Sequence, residues 1–319
     1  MLSSYMIKLL YIDNLRFLNS KEKFKIFNDF DLDGILKLTL GDISNYLSRS
    51  FNKIHKFPDL KLIELQQKII SRAGARVTLL GSEEYPLKLD RIYDPPFAIY
   101  YKGNLPDPNS LSWAIVGSRR ISKALADKTR ELASHLARNN VEIISGFAIG
   151  ADIEAHLGAV GEKKRTYAVI ATDIDNIYPK QNRKYVSRLL ENGGGVITET
   201  LPCERIQSYF FAKRNRIVAG LSDAIFVTYA PMKSGALITA DLGLDLGLDV
   251  YVYNIDYSGD GSRVLYDFGA QEIKEVPDLY KILNIPYNES GIRDDFEDRF
   301  DAQDVSSTLI RELLNEISK

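Results

Sequence analysis

The chain has 319 residues, 45% of them hydrophobic, and a formal net charge of -2, which gives apolar material for a sizeable core and length for two domains. That charge excludes a molecule that is a polycation throughout, so any anionic ligand has to be met by a local basic cluster. The single cysteine, Cys203, excludes an intrachain disulfide, no apolar run approaches the roughly 20 residues of a membrane span, and residues 1–8 lack a signal-peptide pattern, so a cytoplasmic protein with no membrane association is expected.

Residues 1–76 hold only three glycines, Gly34, Gly41 and Gly74, and repeat apolar positions at helical spacing in Leu36, Leu40, Ile43 and Leu47 and again in Leu62, Leu65 and Ile69. This predicts a small helical module. Asp33 and Thr39 each precede a possible helix start, the second with Asp42 three residues on, and Gly41 is a candidate break in the first pattern. From Val77 the texture changes. Tyr85-Pro86-Leu87 and Asp94-Pro95-Pro96-Phe97 mark turns around an added strand or hairpin. Short apolar runs then follow at 113–116, 141–144, 167–170, 196–198, 224–227 and 250–253, most of them separated by enough chain for a helix. The pattern predicts an α/β fold over residues 77–286, an extended Rossmann-like, doubly wound parallel sheet behind the small N-terminal helical domain. Residues 287–319 read as a short charged C-terminal tail with a helix over 308–314.

In open parallel sheets ligands settle outside the carboxyl ends of the strands, so the loops after these runs should gather on one rim. The first is Gly117-Ser118-Arg119-Arg120. Gly117 lets backbone approach a ligand, Ser118 can donate to a phosphate, and the arginines bring charge to a helix N-terminus that already favours anions. A plain turn with solvated arginines accounts for the same residues. The second loop, Ser145-Gly146-Phe147-Ala148-Ile149-Gly150-Ala151-Asp152, has two glycines four apart entering a helix, as an anion-binding nest would. It matches neither the dinucleotide nor the NTPase glycine signature. Asp152 and His156 share a helix face, and a capping aspartate with a hydrogen-bonded histidine is the preferred reading over a metal or acid–base pair.

The third loop, Tyr178-Pro179-Lys180-Gln181-Asn182-Arg183-Lys184, adds charge, although a solvated helix start explains it nearly as well. The fourth joins Phe211-Ala212-Lys213-Arg214-Asn215-Arg216 to Lys233-Ser234-Gly235. An aromatic ring beside a basic fork and bare backbone suits phosphates and flat bases, hence single-stranded nucleic acid. Phe211 could instead be a core residue, and one of the arginines could be structural, paired with a buried carboxylate.

At these residues the chain resembles the DprA family of DNA-processing proteins, also called Smf. The resemblance runs from about Tyr85 to Gln271 through Tyr85-Pro86, Asp94-Pro95-Pro96, Val116-Gly117-Ser118-Arg119, Ser145-Gly146 with Gly150 and Asp152, Ala155-His156, Tyr178-Pro179 with Asn182, Arg214-Asn215-Arg216, Ala219-Gly220-Leu221-Ser222, residues 234–240 and Gly269-Ala270. It implies a Rossmann domain that binds single-stranded DNA, commonly as a homodimer, and helps load the RecA recombinase in natural transformation. That is a binding role, with no enzyme activity, cofactor or metal expected. The resemblance puts DNA contacts on Arg119 and Phe211. The full expected interface is Ser118, Arg119, Arg120, Ser145, Gly146, Gly150, Lys180, Asn182, Phe211, Lys213, Arg214, Asn215, Arg216, Lys233, Ser234 and Gly235.

An apolar cluster of Val264, Leu265, Tyr266, Phe268 and Ile273 is either the dimer surface or a core helix. The chain also departs from the family: Ile149 stands where an arginine is usual, Ala212 where a proline is usual, and Tyr253-Asn254-Ile255 lacks an expected glycine. Its tail is short for the winged helix that some members carry. The competing reading is a nucleotide-handling Rossmann-superfamily enzyme, such as a nucleoside-phosphate hydrolase, with Glu199 as the acid to test. A scaffold with no ligand is a third.

Overall fold

The computed structural model describes residues 3–53, 55–256 and 259–287, and the helix expected over 308–314 lies outside them. The N-terminal module consists of α1 (Ser4–Asp13), α2 (Ser20–Asp29), α3 (Leu32–Lys37), α4 (Leu40–Leu47) and α5 (Leu60–Arg72). Thr39 and Asp42 form a reciprocal capping box at the start of α4, and Gly41 sits within its first turn without breaking it. Asp33 caps nothing. Asp31 accepts the Gly34 N–H at 2.7 Å, which leaves Asp33 in the first turn of α3.

The module's core of Leu9, Ile12, Ile26, Ile43 and Ile63 is continuous with Leu79, Phe97 and Tyr100 from the segment that follows. A buried polar contact fixes the joint. Lys23 Nζ donates to the Asp13 carboxylate at 2.9 Å and the Tyr100 hydroxyl donates to its other oxygen at 2.8 Å. Burial alone would raise the Asp13 carboxyl, but the adjacent Lys23 and Arg16 and these hydrogen bonds hold it below the ordinary value.

The strands are β1 (Arg76–Leu79), β2 (Ala98–Gly103), β3 (Ser112–Gly117), β4 (Glu142–Ser145), β5 (Thr166–Val169), β6 (Gly195–Thr198), β7 (Ala224–Tyr229), β8 (Asp249–Tyr253) and β9 (Gln271–Ile273). Among the described residues they form a nine-stranded sheet in the order β1-β2-β6-β5-β4-β3-β7-β8-β9. β1 and β2 pair antiparallel, and β2 joins the sheet antiparallel to β6; every other pairing is parallel. The hairpin implied by the proline turns is therefore β1–β2. The remaining helices are α6 (Lys123–Arg138), α7 (Ala151–Gly161), α8 (Val186–Glu191), α9 (Ser208–Gly220), α10 (Gly235–Asp245), α11 (Asp260–Asp267) and α12 (Val276–Ile282).

Both faces of the sheet are covered, and β3 shows how. Ala114 and Val116 point into one core with Ile217 and Val218 of α9, while Trp113 and Ile115 point into the other with Leu132 and Leu136 of α6. From β3 the sheet grows one way through β4, β5 and β6 and the other way through β7, β8 and β9. Strand order thus reverses between β3 and β7, where an open α/β sheet leaves a crevice at the carboxyl ends of its strands.

Candidate nucleic-acid interface

The crevice is built from backbone first. The Ser118 N–H donates to Tyr229 O at 2.8 Å, which ties the loop after β3 to the end of β7, and the Ala151 N–H donates to Ser118 O at 3.2 Å, which ties it to the start of α7. Gly150, at φ +84°, makes that approach possible, because a Cβ there would run into Ser118 O and the Arg119 backbone. The Arg120 N–H donates to Ser118 Oγ at 3.0 Å, so the serine shapes the turn. Arg119 and Arg120 are left exposed.

Above this loop stands an aromatic pair. The Arg119 guanidinium lies over the Phe211 ring, 5.4 Å from its centroid, and Phe211 meets Tyr178 edge-on at 5.8 Å. Both rings are available: Phe211 is half-buried and Tyr178 is 48% exposed. Phe210 beside it is buried, so the first turn of α9 turns one phenylalanine inward and presents the next to the rim. Around them Lys180, Lys233, Lys213 of α9 and Gly235 at the start of α10 are exposed, with Gly150 and Ser234 half-buried. Lys213 Nζ lies 3.2 Å from Glu199.

Several of the expected contact residues are structural instead. Arg214 is buried beneath the glycine loop, where its guanidinium donates to Gly146 O and Val169 O. Gly146 exists for that contact, since a Cβ would stand 2.5 Å from the guanidinium. Desolvation pushes the Arg214 pKa down to about 10, with Asp152 opposing the shift, so the group is still charged at neutral pH. Arg216 forms a fork with Glu199 at 2.8 and 2.7 Å and also faces Asp94 at 3.6 Å. Asn215 is buried and donates to Gly235 O at 3.2 Å. Buried Asn182 donates to Phe147 O and Ala148 O at 2.9 and 3.1 Å, and buried Ser145 Oγ donates to Ile115 O at 2.6 Å. Ser145, Gly146, Asn182, Arg214, Asn215 and Arg216 therefore hold the loops in place and are not open to a ligand. Buried donors are generally satisfied internally, and Ser145, Asn182, Arg214, Asn215 and Arg216 each find a carbonyl or a carboxylate within the fold, with Arg216 Nε left unpartnered.

The two groups that could have suggested acid–base chemistry are both buried. His156 is buried with Nδ1 2.7 Å from Thr166 Oγ1, and burial, then the nearby Arg214 charge, holds its pKa down to about 3. Asp152 is buried and accepts the Ala148 N–H at 3.3 Å; burial raises its carboxyl despite Arg214. Glu199 is held by Arg216 and Lys213. Tyr178 is the rim residue that sequence reasoning left out of the interface. Its signal was an aromatic heading a loop with three cations. Ile149, which replaces a cation, is 42% exposed on the same rim.

A family model described as DNA recombination-mediator protein A matches residues 76–284. The chain belongs to that family. It is 68% identical to Protein Smf of Borreliella burgdorferi over 98% of this chain and 100% of that protein. It is 36% identical to DNA processing protein DprA of Streptococcus pneumoniae over 61% of this chain and 70% of that protein. Among solved structures, that of DprA from Streptococcus pneumoniae is similar with a TM-score of 0.67 at 28% identity, covering 90% of this chain and 99% of that one. The DNA processing protein A of Helicobacter pylori, solved for its single-stranded DNA binding mode, is similar with a TM-score of 0.58 at 29% identity, covering 66% of this chain and 97% of that one. Among the described residues no helix is long and apolar enough to cross a membrane.

Proposed function

We propose that the chain binds single-stranded DNA across the rim at the β3–β7 crevice and, as a homodimer without catalytic activity of its own, passes it to a RecA recombinase in transformation or recombination. The observation that carries this reading is the Phe211 ring between Arg119 and Tyr178. An exposed aromatic flanked by cations stacks a base of any sequence while the cations hold its backbone. A base settling on Phe211 takes the place that the Arg119 guanidinium holds in the free protein and releases that arginine to a phosphate.

The engagement of Glu199 by Arg216 and Lys213 argues against the hydrolase reading. The dimer surface would be the α11 end, where Val264, Tyr266 and Phe268 are 37%, 40% and 83% exposed, whereas Leu265 and Ile273 are core. The recombinase step rests on family membership alone, and the rate at which RecA covers a single strand with and without this protein tests it.

Binding itself is tested by fluorescence anisotropy on single-stranded and duplex oligonucleotides of equal length. With Arg119, Arg120, Lys180, Lys213 and Lys233 facing out, about five neutralised phosphates give a slope of log affinity against log salt of about -3.5. A slope near zero, or equal affinity for duplex, overturns the reading; a thermal shift with mononucleotides alone would favour the enzyme.

A further inference from the structure

The cationic surface does not end at Lys180. From there the chain runs as a 3-10 turn (Lys180–Tyr185) directly into α8, six residues each, a track of about 20 Å at ordinary helical rises. Asn182 pins the start of this track to the Phe147 and Ala148 carbonyls, so rim and track form one piece. Between α8 and α7 lies an open cleft of about 670 Å³, with Leu157, Val160 and Lys163 on one wall and Tyr185 and Arg188 on the other. Lys184 Nζ sits 4.9 Å above the Tyr185 ring.

Among the described residues no carboxylate lines this cleft, in a chain with more acidic than basic residues. The nearest glutamates of α7 and its end are already taken: Glu154 by Arg130 at 2.9 Å and Glu162 by Arg138 at 2.8 Å. Glu191 ends α8 in solvent. Among the described residues Lys163, Lys180, Lys184 and Arg188 make no ion pair, and all four are exposed. Lys184 and Arg188 thus bring two unpaired cations to the junction of the 3-10 turn and α8. Tyr185, Leu157 and Val160 add the flat and apolar surface that a base needs.

We propose that the α7–α8 cleft carries the continuation of the same single strand beyond the rim, with Lys163, Lys184 and Arg188 on its phosphates. This rests on the single-strand reading above and extends it from a rim contact to a path. The path predicts that affinity depends on strand length through residues remote from Phe211.

The test compares a thymidine 6-mer with a 30-mer, using the full chain and the triple variant Lys163→Ala, Lys184→Ala, Arg188→Ala. All three side chains are exposed, and thermal melting checks that the variant folds. The expected result is unchanged 6-mer binding, a 30-mer salt slope shallower by about 2, and about thirty-fold weaker 30-mer binding at 0.2 M salt, the loss that three phosphate contacts represent at that concentration. The charge-keeping variant Lys163→Arg, Lys184→Arg, Arg188→Lys should bind the 30-mer like the parent. A folded alanine variant that matches the parent on the 30-mer overturns the path and leaves the rim reading standing. A parent that binds neither oligonucleotide overturns the rim reading, and the path with it.

Discussion

Replacing Phe211 by alanine separates stacking from charge at the rim. Stacking on an aromatic is worth about 1–3 kcal/mol per base, so Phe211→Ala should weaken single-strand binding by about five-fold to a hundred-fold, with the salt slope unchanged because no charge is lost. Arg119→Ala should lower affinity and flatten the slope by about 0.7. The 5.4 Å contact between the two makes their effects non-additive. If a base displaces the guanidinium, each single variant is spared the breaking of a cation–π contact worth about 0.5–1 kcal/mol, so the double variant should lose more than the sum of the singles by that amount. A double variant that loses no more than the sum would mean that the guanidinium stays on the ring and the base stacks outside it. Anisotropy across a salt series measures all four proteins. Phe211 is half-buried whereas Phe210 is core, so Phe210→Ala should cost about 3–5 kcal/mol of stability and Phe211→Ala much less. A folded Phe211→Ala that binds like the parent would refute the stacking role.

Arg214→Met should behave as a stability variant: it strands the Gly146 and Val169 carbonyls and the buried Asp152, for a loss of about 3–5 kcal/mol in denaturant melts, whereas a phosphate-binding role would leave the midpoint alone. Acidification should destabilise the fold through His156, whose folded pKa of about 3 lies below the unfolded value of about 6.5. Its contribution is complete above pH 6.5 and is lost as pH falls towards 3, about 2 kcal/mol by pH 5, with the lowered His135 adding the same sign and the raised Asp152 opposing at lower pH. Parallel melting-versus-pH curves for the parent and His156→Gln would remove His156 from that account. Self-association through α11 predicts a dimer in light scattering at about tens of micromolar protein and a monomer for Phe268→Glu; a parent that is monomeric there rejects the surface.

The parallel strands were legible because each is a short buried run bounded by turn residues, so that period and length agree. β9 was not, since Gln271-Glu272-Ile273 carries no strand pattern and is a strand only because β8 offers it an edge. The rim loops were legible as a set, from glycines and cations at strand ends. The division of labour within them was not. Arg214 and Arg216 lie two apart on α9, yet one enters the space under Gly146 and the other meets Glu199, and nothing in a run of Lys-Arg-Asn-Arg distinguishes them from Lys213, which faces out. Tertiary carbonyls made that choice. Asp31 as the true cap of α3 shows the same limit locally, because Asp31 and Asp33 both precede the helix pattern and only backbone geometry selects one.

The buried arginine also adds a cation beneath the rim of a chain of net charge -2. Solvent and salt screen the surface lysines, but Arg214 sits out of water beneath the glycine loop, where its field is screened far less. Its lowered pKa records desolvation first, against the opposite charge of Asp152, with the like charge of Arg119 adding to the lowering. Two cations held close repel one another, and Arg119, the exposed one, rests on the face of Phe211. On the proposed single-strand reading, a phosphate between the loop backbone and Arg119 would relieve that repulsion. On that reading Arg214 would act on the ligand only through its field, offset in part by the buried Asp152, and Gly146 leaves room for it beneath the loop.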